Sequence, residues 1–415
     1  MRNYPDTAKI VGGQLEIGGI KAVDLAKEFG TPLFVVDEQT IRSRCRTYVD
    51  SFKKYHANTE IAYACKALCV TGILQLIASE GLGLEVASGG EIYTALKAKV
   101  DPAKLYFHSN NKPKSELEFA IKNKVGRIMV DNLQEVENLA EIGQPVDIIL
   151  RINPGIEAHT HEYIKTGTLD SKFGVPKTEI DNVVKVIKSK ENINLKGFHA
   201  HIGSQIVDQK PFEDEVGLLL RLARKYEVGE IDVGGGIGIA YLEKDPAPVI
   251  EKFAEKIAKV LKNDSGIKLI LEPGRSIVGT AGVTLYTIGA VKDIKGVRKY
   301  VFIDGGMSDN PRPILYQAKY DALIANKADQ KKTDKVTVAG RFCESGDILI
   351  KDIALQKAEP KDVLAVMCTG AYNYSMASNY NRVGRPAMVF VNNGSAKLIL
   401  KREKYEDIAL NDVAI

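Results

Sequence analysis

Lys66 follows the run Ile61-Ala62-Tyr63-Ala64-Cys65, an alternation of small and β-favouring residues that reads as a buried strand delivering a primary amine. At a strand end of a parallel α/β fold the loops converge on one mouth, and a lysine there is placed for imine chemistry with a carbonyl group. The plainer reading is a surface charge. Three stretches further along argue against it. Leu269-Ile-Leu-Glu272-Pro-Gly274-Arg275 ends an apolar run in a carboxylate that is costly to bury without a partner. Arg275 adds a planar fork able to grip a carboxylate or phosphate through two bonds. Ile231-Asp-Val-Gly234-Gly235-Gly236 runs a strand into glycines, whose backbone approaches an anion closely and presents N–H donors. Gly197-Phe-His199-Ala-His201-Ile-Gly-Ser204 puts two imidazoles on one strand face and follows them with a hydroxyl that can bond a phosphate.

Each motif has a competitor. The glycine triplet lacks the spacing and early βαβ position of a dinucleotide fingerprint, and no lysine follows it as in a nucleotide-triphosphate loop. His199 with His201, and His159 with His161, have metal-ligand spacing, but neither pair has a nearby cysteine or a spaced carboxylate, so no metal is expected. Glu85-Val-Ala-Ser88-Gly-Gly-Glu91 is equally a capped strand–turn–helix junction. Phe107-His108-Ser-Asn110-Asn-Lys112 is polar where a barrel mouth would lie. Cys343-Glu344-Ser345-Gly-Asp347 and Cys368-Thr-Gly-Ala-Tyr372 are glycine-flanked loops, and a lone cysteine is more often inert than reactive.

The elements that must position these groups follow a rhythm. Strand-like runs at 59–64, 82–87, 104–108, 127–131, 146–152, 195–202, 230–234 and 268–272 alternate with helical patterns such as 115–124, 133–142, 177–189 and 211–226. Such alternation predicts right-handed crossovers, and eight units predict a closed TIM-like (β/α)8 barrel. A ninth run, 33–37, is assigned to a second domain. After about residue 281 short strands at 283–291, 300–303, 335–339, 363–367, 387–392 and 396–401 follow one another with turns and no regular helices, an all-β pattern that a hairpin around Gly12-Gly13 could complete. The expected class is therefore α/β, with a barrel over residues 42–280 and a β-rich domain from residues 1–41 and 281–415.

Composition narrows the function classes. With 415 residues, 45% hydrophobic and 27% charged, the chain can build two ordinary globular cores. The net charge of +4 is dispersed without a basic run interleaved with aromatics, so nucleic acid is not an expected partner. No apolar run approaches a membrane span, the N-terminus has no signal-like core, and five scattered cysteines suit reduced thiols, so a cytoplasmic location is expected.

Taken together, Tyr63-Ala-Cys-Lys66-Ala67, the stretch from His161 to Gly174 with Thr166-Gly167 and Ser171-Lys-Phe-Gly174, His201-Ile-Gly-Ser204-Gln205, the glycine triplet, Glu272-Pro-Gly-Arg275, Cys343-Glu344-Ser345 and Gly370-Ala-Tyr372 resemble the pyridoxal-phosphate-dependent decarboxylases of the alanine-racemase-like barrel class. The resemblance spans nearly the whole chain. It implies pyridoxal 5'-phosphate carried on Lys66, with His201 against the ring and Glu272 on the pyridine nitrogen. Ser204, Gly235, Gly236, Gly274, Arg275 and Tyr372 would complete the cofactor site. Arg275, Arg312, Tyr316, Glu344 and Tyr372 would hold an amino-acid substrate, and Cys343, reaching across a homodimer, would act with Lys66 and His201 in catalysis. Within the class it implies decarboxylation of meso-2,6-diaminopimelate to L-lysine, the last step of lysine biosynthesis. Glu344 and Arg312 together match a distal ammonium beside a distal carboxylate. The alternatives are decarboxylation of ornithine, lysine or arginine, or a catalytically inactive barrel that binds a partner. Two positions depart from the pattern: Glu85 stands where an aspartate is usual, and Met307-Ser-Asp-Asn-Pro-Arg312 carries an unusual Asn-Pro.

Overall fold

The computed structural model describes residues 3–156 and 171–415, so His159, His161, Thr166 and Gly167 of the sequence motifs lie outside the described residues. The chain divides into two compact units. One comprises Ser43–Gly238 and Ala247–Ser276, the other Met1–Arg42, Ile239–Pro246 and Ile277–Ile415.

In the first unit eight parallel strands close on themselves: Thr59–Ala64, Gly83–Val86, Leu105–Phe107, Arg127–Val130, Val146–Asn153, Ile193–His199, Glu230–Asp232 and Lys268–Leu271. Closure is made where Leu269 of the last strand pairs with Thr59 of the first. Helices including Gly89–Lys97, Leu133–Ile142, Lys210–Tyr226 and Ile250–Val260 return the chain between strands. Their starts follow local chemistry. Ser88 Oγ accepts from Glu91 N, and Asn132 Oδ1 accepts from Glu135 N at 3.1 Å, each satisfying a helix-end donor that would otherwise be unpaired.

Side chains two apart on a strand share a face, so the barrel interior is built in layers. At the strand starts lies a charged layer, in which Arg127 Nε and Nη2 donate to Glu230 at 2.9 and 2.7 Å and Lys268 Nζ sits 2.5 Å from Glu60. Two residues on come Ala62, Tyr106, Met129, Ile149 and Ile270, packed as one apolar cluster. The next step along the same faces brings His108, Asp131, Arg151 and Glu272, with Ala64, to a largely polar layer at the strand ends, and Asp232, paired with Ile270, lies next to it. The apolar plug separates the two polar layers and gives the upper one a low-dielectric floor.

The second unit is organised on the 13-residue strand Gly282–Ile294, which pairs with Leu33–Asp37, Arg298–Ile303 and Val363–Val366. The sheet continues through Ala387–Asn392 and Ser395–Leu400 on one side and Asp334–Ala339 and Ile348–Leu355 on the other. Leu33–Asp37, the ninth run, pairs within this sheet, and all five of its residues are buried. The early hairpin does not join it. Lys9–Val11, Gln14–Ile17 and Ile20–Lys21 form a separate three-stranded sheet, and every residue of Lys9–Val11 is exposed, so that strand has no apolar face to contribute to the larger core. Two strands escape the sequence reading, Ala322–Ile324 and Ile348–Leu355. The latter is interrupted by a register shift and by Asp352 at φ +56°, which break its alternation.

Candidate functional site

In the barrel unit the strand ends bring Lys66, Glu85, His108, Arg151, His199, Asp232 and Glu272 to one end of the barrel. Lys66 sits in a short 3-10 turn, Cys65–Ala67, directly after the first strand. Its side chain is 49% exposed and its Nζ lies 3.2 Å from Glu85 Oε1, while Glu85 itself is 1% exposed. A buried carboxylate therefore orients an accessible amine. A second lysine of this unit, Lys112 in the loop after Leu105–Phe107, has no exposed side-chain surface and is spent on Ser109 O, Met129 O and Glu135 at 2.9, 2.6 and 2.9 Å. Its role is to tie loops together.

Glu272, 5% exposed, shares a hydrogen bond of 2.6 Å with His108 Nε2. Burial pushes its carboxyl up to about 7, with Lys66 and Asp232 pulling the other way. Burial also holds both His108 and His199 well below the ordinary histidine range, so both rings are neutral near pH 7 and the His108 contact is a hydrogen bond rather than an ion pair. His199 stands edge-on to His108, ring centres 4.8 Å apart, and its Nε2 is 3.4 Å from Glu272 Oε2 without hydrogen-bonding alignment. Both ring nitrogens of His199 and Asp232 Oδ2 are buried without a hydrogen-bond partner among the described residues. His108, His199 and Glu272 offer donor atoms within 4.8 Å of one another, a set that could hold a cation as well as a polar ring. Burial and the neighbouring Glu272 charge raise the Asp232 carboxyl well above the usual range, so Asp232 keeps its proton beside Glu272.

The glycine triplet is a cradle. Gly234 and Gly236 adopt φ of +59° and +105°, and a Cβ on Gly235 would overlap Glu272 O. The loop is stapled to the His201–Ile206 segment by Ile206 N donating to Gly236 O and Gly238 N donating to Ile206 O, both 2.9 Å. Arg275 Nη2 donates to Ser204 Oγ at 3.0 Å, joining two of the residues expected at an anion. Gly274 packs where a Cβ would press on those of Ala64 and Ala67, on either side of the Lys66 turn. Orphaned polar atoms at the floor, a glycine cradle, and an accessible lysine form a donor set that fits a planar phosphorylated ring with a basic nitrogen.

The β-rich unit holds the remaining candidates. Arg312 opens a short helix, Arg312–Tyr316, and is 7% exposed. Its guanidinium carbon lies 4.7 Å from the Tyr241 ring centre and 5.6 Å from that of Tyr320, and Nη1 donates to Tyr320 Oη at 2.5 Å. Among the described residues no carboxylate pairs with it. Tyr316 is half-buried on the same helix, and Tyr372 is half-buried with φ +60°. Cys343 and Glu344 are exposed; Glu344 accepts from Tyr380 Oη, and Cys343 N donates to Asn381 Oδ1 at 3.1 Å.

Asp347 fastens these loops. Its carboxylate accepts from Met307 N at 2.7 Å and Phe342 N at 2.9 Å, joining the segment that leads to Arg312 with the Cys343–Glu344 loop. Gly306 and Gly340 press against it so closely that a Cβ on either would collide with the carboxylate. Asp347→Ala strips two buried donors of their acceptor and is expected to destabilise the protein by roughly 2–3 kcal/mol, with Asp347→Asn intermediate because its amide oxygen still accepts. Urea denaturation of the three proteins measures this; equal midpoints would remove Asp347 from the role.

Sequence reasoning did not assign Arg151, Asp232, Asp347 or Tyr241 a role. The first two carry a signal in hindsight, since each lies two residues beyond an inward-facing residue on its strand, Ile149 and Glu230. Tyr241 carries none.

The family model described as pyridoxal-dependent decarboxylase, pyridoxal binding domain, matches residues 38–279. The chain is 47% identical to a diaminopimelate decarboxylase of Synechocystis, over 96% of this chain and 90% of that one. It is 44% identical to that of Bacillus subtilis, over 97% and 95%. A crystal structure of diaminopimelate decarboxylase from M. jannaschii in co-complex with L-lysine superposes with a TM-score of 0.92 at 35% identity, covering 100% of this chain and 99% of that one.

Proposed function

The chain belongs to the diaminopimelate decarboxylase family, and from that premise we propose how its residues share the work of converting diaminopimelate to lysine and CO2 in lysine biosynthesis. The enzyme uses pyridoxal phosphate. When bound, the cofactor supplies an electron sink for the bond that breaks as CO2 leaves. Lys66 Nζ carries it and afterwards holds a proton beside the reacting carbon, oriented by Glu85. The Glu272 carboxylate, set by His108 and by the protonated Asp232, keeps the ring nitrogen charged. His201 holds the ring face, and Ser204, Gly235, Gly236, Gly274, Arg275 and Tyr372 hold the phosphate end. Arg275 and Tyr372 also border the substrate, with Tyr316. Arg312 takes the distal carboxylate and Glu344 the distal ammonium.

One observation carries the substrate assignment: Arg312 is a buried guanidinium with aromatic neighbours and no carboxylate partner among the described residues. A buried cation left unpaired is costly, and a substrate carboxylate completes it. A diamine-forming reaction on ornithine or lysine would leave that charge unanswered. We further propose a homodimer in which the exposed Cys343–Glu344–Ser345 loop of one subunit completes the partner's site, with Cys343 Sγ or Lys66 Nζ donating the proton to the carbon. A cytoplasmic setting is supported by five cysteines that are all free thiols.

The test is CO2 release by the cofactor-loaded protein from diaminopimelate, lysine, ornithine and arginine in parallel. Release is expected from diaminopimelate alone. Arg312→Ala should lower kcat/KM for it by on the order of 10²–10³-fold, the cost of losing one buried charge partner. Preferential release from lysine or ornithine would overturn the substrate assignment.

A further inference from the structure

The cage around Arg312 is aromatic where an acid would be the ordinary partner of a buried arginine. Tyr241 and Tyr320 meet edge to face, centroids 5.6 Å apart at 90°, and the guanidinium lies over both. Tyr320 takes one N–H through its hydroxyl, whereas Tyr241 meets the cation with its ring. Tyr241 is itself fixed by its backbone. Its N–H donates to Asp245 Oδ2 at 3.1 Å, and its carbonyl accepts from Asn3 Nδ2 at 3.1 Å. Asn3 Nδ2 and Glu243 N both donate to Asp321 Oδ2, at 2.7 and 2.9 Å, so the segment Ile239–Pro246 is pinned within the β-rich unit at several points.

A ring under a guanidinium attracts the charge and fixes the plane of the fork without consuming its N–H donors or neutralising it. An aspartate in the same place would do both. We propose that Tyr241 is a specificity-determining positioning residue, presenting Arg312 as an uncompensated, oriented fork so that the enzyme selects amino acids carrying a second carboxylate. The inference rests on the reading of Arg312 as the receiver of that carboxylate.

Two probes isolate the effect. Lysine, the product, retains the distal carboxylate; 1,5-diaminopentane differs from it only by lacking that group. Both are measured as competitive inhibitors of the cofactor-loaded, full-length enzyme, in wild type, Tyr241→Phe, Tyr241→Leu and Arg312→Ala. Tyr241→Leu is expected to raise the inhibition constant of lysine about tenfold, within the range of one desolvated cation–π contact, and to raise KM for diaminopimelate in step while kcat stays within about twofold. The constant for 1,5-diaminopentane should not move, and Tyr241→Phe, which keeps the ring, should behave as wild type. If Tyr241→Leu weakens both inhibitors equally, the residue is merely structural and the proposal fails. If Arg312→Ala weakens lysine selectively but Tyr241→Leu does not, Tyr241 is excluded and the Arg312 reading stands. If Arg312→Ala changes neither, that reading falls first.

Discussion

Alanine in place of Lys66 is expected to lower CO2 release from diaminopimelate by on the order of 10³–10⁴-fold, the scale of a lost acid–base group, and to abolish covalent attachment of the cofactor. The second readout is the sharper one. Borohydride reduction of the loaded wild type, followed by peptide mass mapping, should place the cofactor on Lys66 and nowhere else, while Lys66→Ala takes up the cofactor without fixing it. The geometry explains the selectivity. Lys66 is half-exposed with Glu85 at 3.2 Å, whereas Lys112, in the loop after Leu105–Phe107, has no exposed side-chain surface and three acceptors within 3 Å. Lys112 therefore has no free geometry in which to attack a carbonyl. Cofactor fixed on Lys112, or a Lys66→Ala protein that retains turnover, would overturn the assignment.

Much of this was legible from the chain before any coordinates. The eight strands could be counted because each is short, apolar and followed by a helical pattern, and Glu272 announced itself as a carboxylate leaving a buried run. The β-rich half was less legible, because strands such as Ile348–Leu355 carry bulges and exposed charges that break period-two alternation. The polar layer at the strand ends was partly readable. Lys268, Ile270 and Glu272 step charged, apolar, acidic along one strand face, and Arg127, Met129 and Asp131 do the same on another. What no single strand could show is which of these meet across the barrel. The bond from His108 to Glu272 joins residues 164 apart in sequence, and nothing local to either specifies it. Tyr241 is a second case: its neighbours Arg312 and Tyr320 lie about 70–80 residues further along the chain, and its own segment carries turn chemistry alone. Sequence patterning encodes which face a residue occupies, and tertiary closure decides its partner.

The strongest consequence of that closure concerns Glu272. In the cofactor-free protein its carboxyl sits at about 7 against an ordinary 4.5, chiefly because burial opposes its charge. The folded state therefore holds a proton that the unfolded chain has released, across the window from about pH 4.5 to 7. By linkage, stability falls as pH rises through that window and is flat above it. Glu272→Gln removes the titration while leaving an amide oxygen to accept from His108. The cofactor-free variant is thus expected to match wild type near pH 4.5 and to exceed it above pH 7 by at most about 3 kcal/mol, read from urea midpoints at a series of pH values. If Glu272 meets the ring nitrogen as proposed, the bound cofactor would give the carboxylate a cationic partner that offsets the penalty, so the pH-dependent gap between wild type and variant should close in the loaded proteins. Activity should move the opposite way: the variant loses a preorganised charge at the ring nitrogen and kcat drops by roughly 10²–10³-fold. A variant more stable when empty and slower when loaded is the signature of a carboxylate held in place for a cation. Equal pH profiles for the two cofactor-free proteins would show that Glu272 ionises without cost and that His108 and Asp232 have no tuning role.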